Sequence, residues 1–600
     1  MCGIAGVVGK SLDKTTICAM LDTMRRRGPD GSGVYESPLC TLLHTRLAVI
    51  DPAGGAQPMS CAWGQDCYTI TYNGEIYNLS DVKRELQSAG HQFLTRSDTE
   101  VVLHAFIEWN EKCPDHLNGI FAFAVWSERE RRLYLCRDRF GVKPLFYSQI
   151  NEDLVFASEI KTILAYPGAK RTVGKEGISQ LILLGPGKIP GRTLYDGIYE
   201  LLPGNFAWYE EGRFRTRPYW RLLDRPYMDS FDETVEKVRY LVVDSVKRQM
   251  VSDVPLGTFL SGGLDSSVIT ALCASYQKNI LDTFSVDYYN NNLYFKADKF
   301  QPTQDAEYID IMKEFASSNH HTTTLRPEGL LEVLEESTIA RDAPGMADVD
   351  FSLFAFCKEV RNHVKVALSG ECADELFGGY PWFRDADVRN TAGFPWSQNL
   401  TYRKAFLNDA WRVDEGFVHD LYSSTVAGCD VCSGTDDIDR RTKEMMVLNI
   451  YWFMQTLLER KDRMSMYHGL EVRVPFCDHR LAEYLYTVPW KLKDHAGREK
   501  GLLRTAMQGV LPDAVLWRKK SPYPKTHDPK YCEAVENMMK RVLERNDAPL
   551  FQIVKRDKVK ELLDNEQPWP WYGQLMTRPQ TIAYFLQIDF WLQHYHISLV

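Results

Sequence analysis

Between an apolar run, Val254-Pro255-Leu256-Gly257-Thr258-Phe259-Leu260, and a helix-compatible run, Val268-Ile269-Thr270-Ala271-Leu272-Cys273, lies Ser261-Gly262-Gly263-Leu264-Asp265-Ser266-Ser267. Strand, glycine loop and helix in that order form a phosphate cradle. The glycines let backbone N–H groups approach an anion, the serine hydroxyls donate, and the helix start adds partial positive charge. Further strand-like runs, Leu281–Val286 and Val364–Leu368, have helical sequence nearby, and this alternation argues for a parallel α/β sheet. The loop lacks the Gly-Lys-Ser/Thr ending of a Walker motif, which weakens a reading as γ-phosphate transfer.

The chain ahead of this unit follows a different grammar. Short apolar runs, Gly3–Val8, Ile120–Trp126 and Arg132–Cys136, sit between turn residues and read as strands covered on both faces. Near Tyr219 a polar segment begins, and from Phe231 to Met250 the pattern is helical. The expected division is a first domain over 2–210, a linker over 211–230 and a second domain over 231–600. A length of 600 residues allows two to four cores, and no repeat of solenoid period is visible.

Charge and cysteine usage narrow the setting. With 71 basic and 80 acidic residues the net charge is −9, which gives no bulk attraction to a polyphosphate or an anionic bilayer. Nucleic acid and membrane are therefore not expected partners. The N-terminus has no basic, apolar leader pattern, no segment approaches the roughly 20 apolar residues of a spanning helix, and the 14 cysteines are scattered. Most read as reduced core residues of a cytoplasmic protein. Cys429 and Cys432 form one Cys-x-x-Cys, half of a tetrahedral zinc site.

Removal of Met1 would expose a thiol and a free α-amine on one residue, Cys2. An α-amine titrates at roughly 7.7 to 8.0, so it can act as a general base for its own thiol or for an attacking water. Taken alone, Cys2 is as well read as a buried residue of a first strand. Its context decides. Met1-Cys2-Gly3-Ile4-Ala5-Gly6, Arg26-Arg27-Gly28-Pro29-Asp30, His44–Asp51, Tyr72-Asn73-Gly74-Glu75-Ile76-Tyr77-Asn78 and Arg96-Ser97-Asp98-Thr99-Glu100 resemble, in order, the glutaminase domain of class II glutamine amidotransferases. The resemblance implies an Ntn-hydrolase β-sandwich flanked by helices, with Cys2 as nucleophile. It implies a glutamine site of Arg46, Leu47, Ile50, Asn73, Gly74, Glu75 and Asp98. Arg46 suits the α-carboxylate, Asp98 and Glu75 suit the α-ammonium, and Asn73 with the Gly74 N–H would stabilise the oxyanion.

The Ser261 loop resembles that of the N-type ATP pyrophosphatases, which leave AMP on a substrate carboxylate. A second acidic loop, Ser369-Gly370-Glu371-Cys372-Ala373-Asp374-Glu375-Leu376-Phe377-Gly378-Gly379-Tyr380, resembles the asparagine synthetase pattern, with Cys372 where glycine is expected. Leu458–Met466, His468–Asp478 and Gly497–Arg504 are similar to the same family. These resemblances imply an α/β parallel-sheet ATP pyrophosphatase domain with additional helices. They imply ATP contacts at Leu260, Ser261, Gly262, Gly263, Asp265, Ser266, Val286, Ser369 and Gly370, and magnesium on Asp265 and Asp374. Glu371 and Lys500 then fall at catalytic positions.

Together the two halves imply a glutamine-hydrolysing asparagine synthetase: ammonia released at Cys2, aspartate adenylated by MgATP, an internal passage between the sites, and a homodimer. The nearest rival amidates another carboxylate, such as a cell-wall peptide's diaminopimelate or a natural-product acid. A ring-closing synthetase would have no use for Cys2, and a non-enzymatic descendant would not keep Cys2, Asp265, Glu371, Asp374 and Lys500. The segment 288–304 is long and aromatic for its place after a strand; it reads as a polar surface loop ahead of a lid or an acceptor-binding loop. Arg341–Asp348 is a candidate wall of the acceptor pocket.

Overall fold

The computed structural model describes residues 2–295, 303–521, 523, 526, 528–573 and 576–600. The first unit consists of two six-stranded antiparallel sheets. One orders its strands Tyr199–Glu200, Phe146–Ile150, Asp153–Ala157, Gly3–Val8, Cys40–Arg46 and Gly31–Glu36; the other runs Arg213–Pro218, Asn205–Glu210, Arg132–Arg137, Gly119–Ser127, Asp66–Ile76 and Met59–Trp63. Every residue of Gly3–Val8 is buried, as its unbroken apolar run requires for a strand covered on both faces. Part of the stretch expected as linker is strand. Arg213–Pro218 pairs with Asn205–Glu210, and the residues outside helix and strand run from 219 to 230.

The second unit begins with the helix Phe231–Gln249, closed by a capping box in which Ser230 and Glu233 satisfy each other's backbone N–H groups. Its sheet has five parallel strands in the order Asn319–Leu325, Asp282–Tyr288, Leu256–Phe259, Val366–Leu368 and Glu471–Arg473. The chain leaves the central strand Leu256–Phe259 first to one side and then to the other. Such a switch opens a crevice at the carboxyl ends of the diverging strands, and both glycine-containing loops emerge there. Helices pack against this sheet, among them Leu264–Tyr276 and Met454–Met466, and Arg578–His594 packs on other helices of the unit.

The two units share one apolar core, which runs from Ala5 and Met24 through Leu260 and Val268 to Trp591. Ion pairs cross the same boundary out of water. Asp462 pairs with Arg27 at 2.7 Å and Lys143 at 2.8 Å, and Arg463 reaches Glu159 at 3.4 Å. Asp342 is a second knot: Lys161 lies 3.2 Å away, the Ile160 N–H and Tyr595 hydroxyl donate to its carboxylate, and the Tyr195 hydroxyl and Trp591 indole donate to its carbonyl. Unpairing a buried charge costs about 3–5 kcal/mol, so these pairs fix how the units sit together. No helix among the described residues is long and apolar enough to cross a membrane.

Candidate active sites

Cys2 lies just ahead of Gly3–Val8 with 8% of its surface exposed. Its backbone nitrogen donates to Asn73 Oδ1 at 2.9 Å. Burial raises the thiol pKa, while the Leu47 N–H at the sulfur and the nearby Arg46 guanidinium pull the other way. Asn73 keeps its Nδ2 donor buried without a partner. An orphaned donor of this kind costs about 1–3 kcal/mol, and an incoming oxyanion would recover it. Gly74 follows, where a Cβ would fall 2.4 Å from the Ile120 carbonyl oxygen; only glycine lets the strand pass so close.

Arg46 ends the strand Cys40–Arg46, and the carbonyls of Pro52 and Asp51 hold its guanidinium, each at 2.7 Å. Ile50 packs half-buried on the core beneath this loop. Asp98 starts the helix Asp98–Trp109 and accepts from the Tyr72 hydroxyl at 2.9 Å. Burial lifts its carboxyl to about 6 despite that bond. Glu75 is pushed up by burial and by Glu471, against the pull of Arg473 at 3.5 Å. Two acids held this way strengthen when a cation arrives. The structure thus gathers Cys2, Arg46, Leu47, Asn73, Gly74, Glu75 and Asp98 in one region, and it adds Arg473 from the second unit.

The second site is a cavity of about 290 Å³ at the switch point, lined by Leu260, Ser261, Gly263, Asp265, Ser266, Val286, Ser369, Gly370, Glu371, Asp374 and Lys500 among others. Gly262 is absent from that lining. It makes the turn behind the loop with φ +67°, where a Cβ would sit 2.7 Å from the Tyr308 Cβ. The two loops touch: a Cβ on Gly370 would lie 2.9 Å from the Ser266 nitrogen.

The carboxylates here are already engaged by cations. Lys500 is buried and bridges Asp265 at 2.6 Å and Asp374 at 2.8 Å, and Lys520 binds the other oxygen of Asp374. Burial would raise Asp374, but the two ammonium groups outweigh it and hold the carboxyl well below its ordinary value. Asp265 stays raised, its burial exceeding the help from Lys500. Glu371 pairs with Lys461 at 2.5 Å and accepts from the Ser369 hydroxyl. Sequence reasoning passed over Lys461, Arg518 and Lys520, since a lone cation carries no local signal and their partners lie far along the chain. Asp265 Oδ1 is buried without a hydrogen-bond partner, and this orphan with Asp374 is a hard-oxygen donor pair that fits Mg²⁺. Among the described residues no group of three or more His, Cys, Asp or Glu is arranged to hold a metal, Cys429 and Cys432 included.

Cys372 explains its own departure from glycine. Its backbone is left-handed at φ +77°, the region glycine favours, and its sulfur is bonded to Cys477, 105 residues away. The other 12 cysteines described are free. Of Arg341–Asp348, Met346 lines the cavity, while Asp342 serves the boundary between the units. Of the expected loop 288–304, Tyr288 ends a strand and Asn291–Tyr294 is a short helix, while 296–302 lie outside the described residues, as does Met1.

One helix serves both sites. On Met454–Met466, Lys461 reaches Glu371 and the next residue, Asp462, reaches Arg27, whose Nε donates to the Cys2 carbonyl at 3.2 Å.

Residues 237–593 match the family described as asparagine synthase, and residues 1–220 match the family described as glutamine amidotransferase domain. Among curated proteins the chain is similar to asparagine synthetase [glutamine-hydrolyzing] 3 of Bacillus subtilis, 47% identical with all of both chains covered. Asparagine synthetase [glutamine-hydrolyzing] 1 of the same organism is 31% identical over 87% of each chain. A protein named amidase chry2 from Gibberella zeae is 26% identical over 84% of each. Matched over both of its halves, the chain belongs to the asparagine synthase family and carries that family's catalytic unit behind a glutamine amidotransferase domain.

Proposed function

We propose that the protein is a glutamine-hydrolysing asparagine synthetase that converts aspartate, glutamine and ATP to asparagine, glutamate, AMP and pyrophosphate. The Cys2 thiol attacks the side-chain amide of glutamine, and Asn73 Nδ2 and the Gly74 N–H receive the oxyanion. The α-amine freed by removal of Met1, held by Asn73 Oδ1, carries the proton to the departing ammonia, and water then cleaves the thioester. Arg46 takes the α-carboxylate of glutamine; Asp98 and Glu75 take its α-ammonium. In the second site the β-carboxylate of aspartate attacks the α-phosphorus of ATP and pyrophosphate leaves, with Lys500 offsetting the charge that grows on it. Ammonia then displaces AMP. Asp265 and Asp374 would hold Mg²⁺, which when bound neutralises phosphate charge.

The observation that carries this reading is the pairing, in one chain, of a buried thiol beside an unpartnered amide donor with a phosphate loop facing two carboxylates. Ammonia is a useful nucleophile only unprotonated, and the dry boundary between the units suits a passage closed to water. We place the reaction in the cytoplasm and the enzyme in a homodimer, which sedimentation would check.

Incubation with glutamine, MgATP and a panel of carboxylates is the test, with glutamate, pyrophosphate and amide measured together. Pyrophosphate formed with aspartate supports the reading. Turnover with another acid and none with aspartate would replace asparagine synthesis by amidation of that acid, and ADP in place of AMP would reject adenylation.

A further inference from the structure

The disulfide between Cys372 and Cys477 takes no part in the reading above, yet it lies at the ATP cavity. Cys372 stands in the loop after Val366–Leu368, between Glu371 and Asp374, and lines the cavity. Cys477 belongs to the loop after Glu471–Arg473, the parallel neighbour of that strand, so the bond ties two loops at the carboxyl edge of one sheet. The Cys477 side is held without it. The Cys477 N–H donates to the Val474 carbonyl at 2.8 Å, and the Ser245 hydroxyl donates to the Pro475 carbonyl at 2.7 Å. What the bond restrains is therefore the loop that carries Glu371 and Asp374.

Pairing is selective. Exposed Cys18 and the half-buried neighbours Cys429 and Cys432 all stay free, so position rather than number of cysteines made this bond. In the reducing compartment proposed for the enzyme, such bonds are made and broken in redox sensing more than kept as staples. The Cys372 backbone is left-handed at φ +77°, a shape that a non-glycine residue holds only under constraint. Cutting the bond removes the covalent constraint, and the acidic loop is free to relax.

We propose that Cys372 and Cys477 form a reversible dithiol–disulfide site, served by a small dithiol, that sets the affinity of the second site for ATP. Bonded, the acidic loop is pinned in its ATP-binding shape; reduced, it leaves that shape. A cavity of about 290 Å³ admits a small reductant to the Cys372 side. One thiolate of the dithiol attacks the Cys372 sulfur, and the Cys477 sulfur leaves with the bonding electron pair and takes a proton. The second thiol of the reductant then displaces Cys372, which is protonated in turn. Two electrons and two protons pass to the protein, and the dithiol ends as a disulfide; oxidation runs the same steps backwards. This inference rests on the ATP reading of the site.

The test compares oxidised with dithiothreitol-reduced protein. Thiol titration of the denatured chain reads 12 free thiols in the first and 14 in the second. Reduction raises Kd for MgATP by about 5- to 30-fold, the weight of one residue leaving the left-handed region, and glutathione disulfide reverses it. By linkage, saturating MgATP shifts the dithiol–disulfide equilibrium toward the bonded form by the same factor. Cys477→Ser binds MgATP as the reduced protein does and ignores dithiothreitol, whereas Cys372→Gly, whose backbone holds the left-handed shape unaided, keeps the Kd of the oxidised protein. Glutamine hydrolysis at Cys2 reports folding and persists on reduction; if the serine variant loses it, Cys477→Ala takes its place. A Kd that stays level or falls on reduction overturns the proposal, as do 14 free thiols before reduction. Loss of glutamine hydrolysis on reduction of the wild type, the mark of a bond that only staples the fold, overturns it too. Wild-type protein that releases no pyrophosphate from ATP in either state would overturn the ATP reading and this inference together; release with an unchanged Kd would overturn this inference alone.

Discussion

The two sites handle buried acids in opposite ways. Around Cys2, Asp98 and Glu75 are pushed up by burial, Glu75 in spite of Arg473 at 3.5 Å, and the further cation proposed for them is the ammonium of an incoming amino acid. At the Ser261 loop one acid is pinned, with Asp374 held down by Lys500 and Lys520, while Asp265 beside it stays raised by burial. One site is completed by its substrate. In the other, two lysines already pair with its carboxylates before any ligand arrives. The difference suits the ligands proposed for each: a free amino acid carries its own cation, whereas a polyphosphate would arrive as an anion with a metal.

The contrast is most sharply tested at the nucleophile. Cys2→Ala should lower glutamine-dependent amide formation by at least about 1000-fold, the scale of losing a covalent nucleophile, while ammonia-dependent formation continues. Loss of both activities would break the separation of the sites. Next, Lys500→Met removes the cation that bridges Asp265 and Asp374. Pyrophosphate release should fall by about 100- to 1000-fold with glutamate formation retained, and the two activities measured side by side decide it.

The acids give a pH test of smaller size. In the role proposed for it, Asp98 would hold an ammonium only when ionised, and burial places its carboxyl at about 6. As pH falls through that value, kcat/KM for glutamine should drop, approaching about tenfold per pH unit, while kcat/KM for ATP follows a separate curve. Parallel profiles would remove the asymmetry between the sites. The smallest effect concerns Cys372, left-handed at φ +77°. Under reducing conditions Cys372→Gly should be more stable than Cys372→Ala by about 1 kcal/mol, read from urea denaturation.

What could be read in advance was whatever chemistry is local in sequence. Asn73-Gly74 and Ser261-Gly262-Gly263 declare themselves because backbone shape and side-chain chemistry are written within a few residues. Strand alternation likewise placed Leu256–Phe259 and its neighbours in a parallel sheet. The rest was hidden by distance along the chain. Lys520 meets Asp374 across 146 residues, Cys372 meets Cys477 across 105, and Arg473 comes to Glu75 from another unit. Gly262 joins both kinds of signal: the motif names it as a ligand contact, and in space its φ of +67° makes the turn between Ser261 and Gly263.

The helix Met454–Met466 sets a rule for anyone who would rebuild this enzyme by parts. Lys461 and Asp462 are consecutive, yet one answers to Glu371 and the other to Arg27 and Lys143. A foreign glutaminase grafted without those two cations would strand a buried carboxylate, at about 3–5 kcal/mol, on the same helix that positions Glu371. The two halves can be exchanged between relatives only where these cross-boundary partners travel with them, so the natural unit of transplantation ends at the far side of that helix rather than at residue 230.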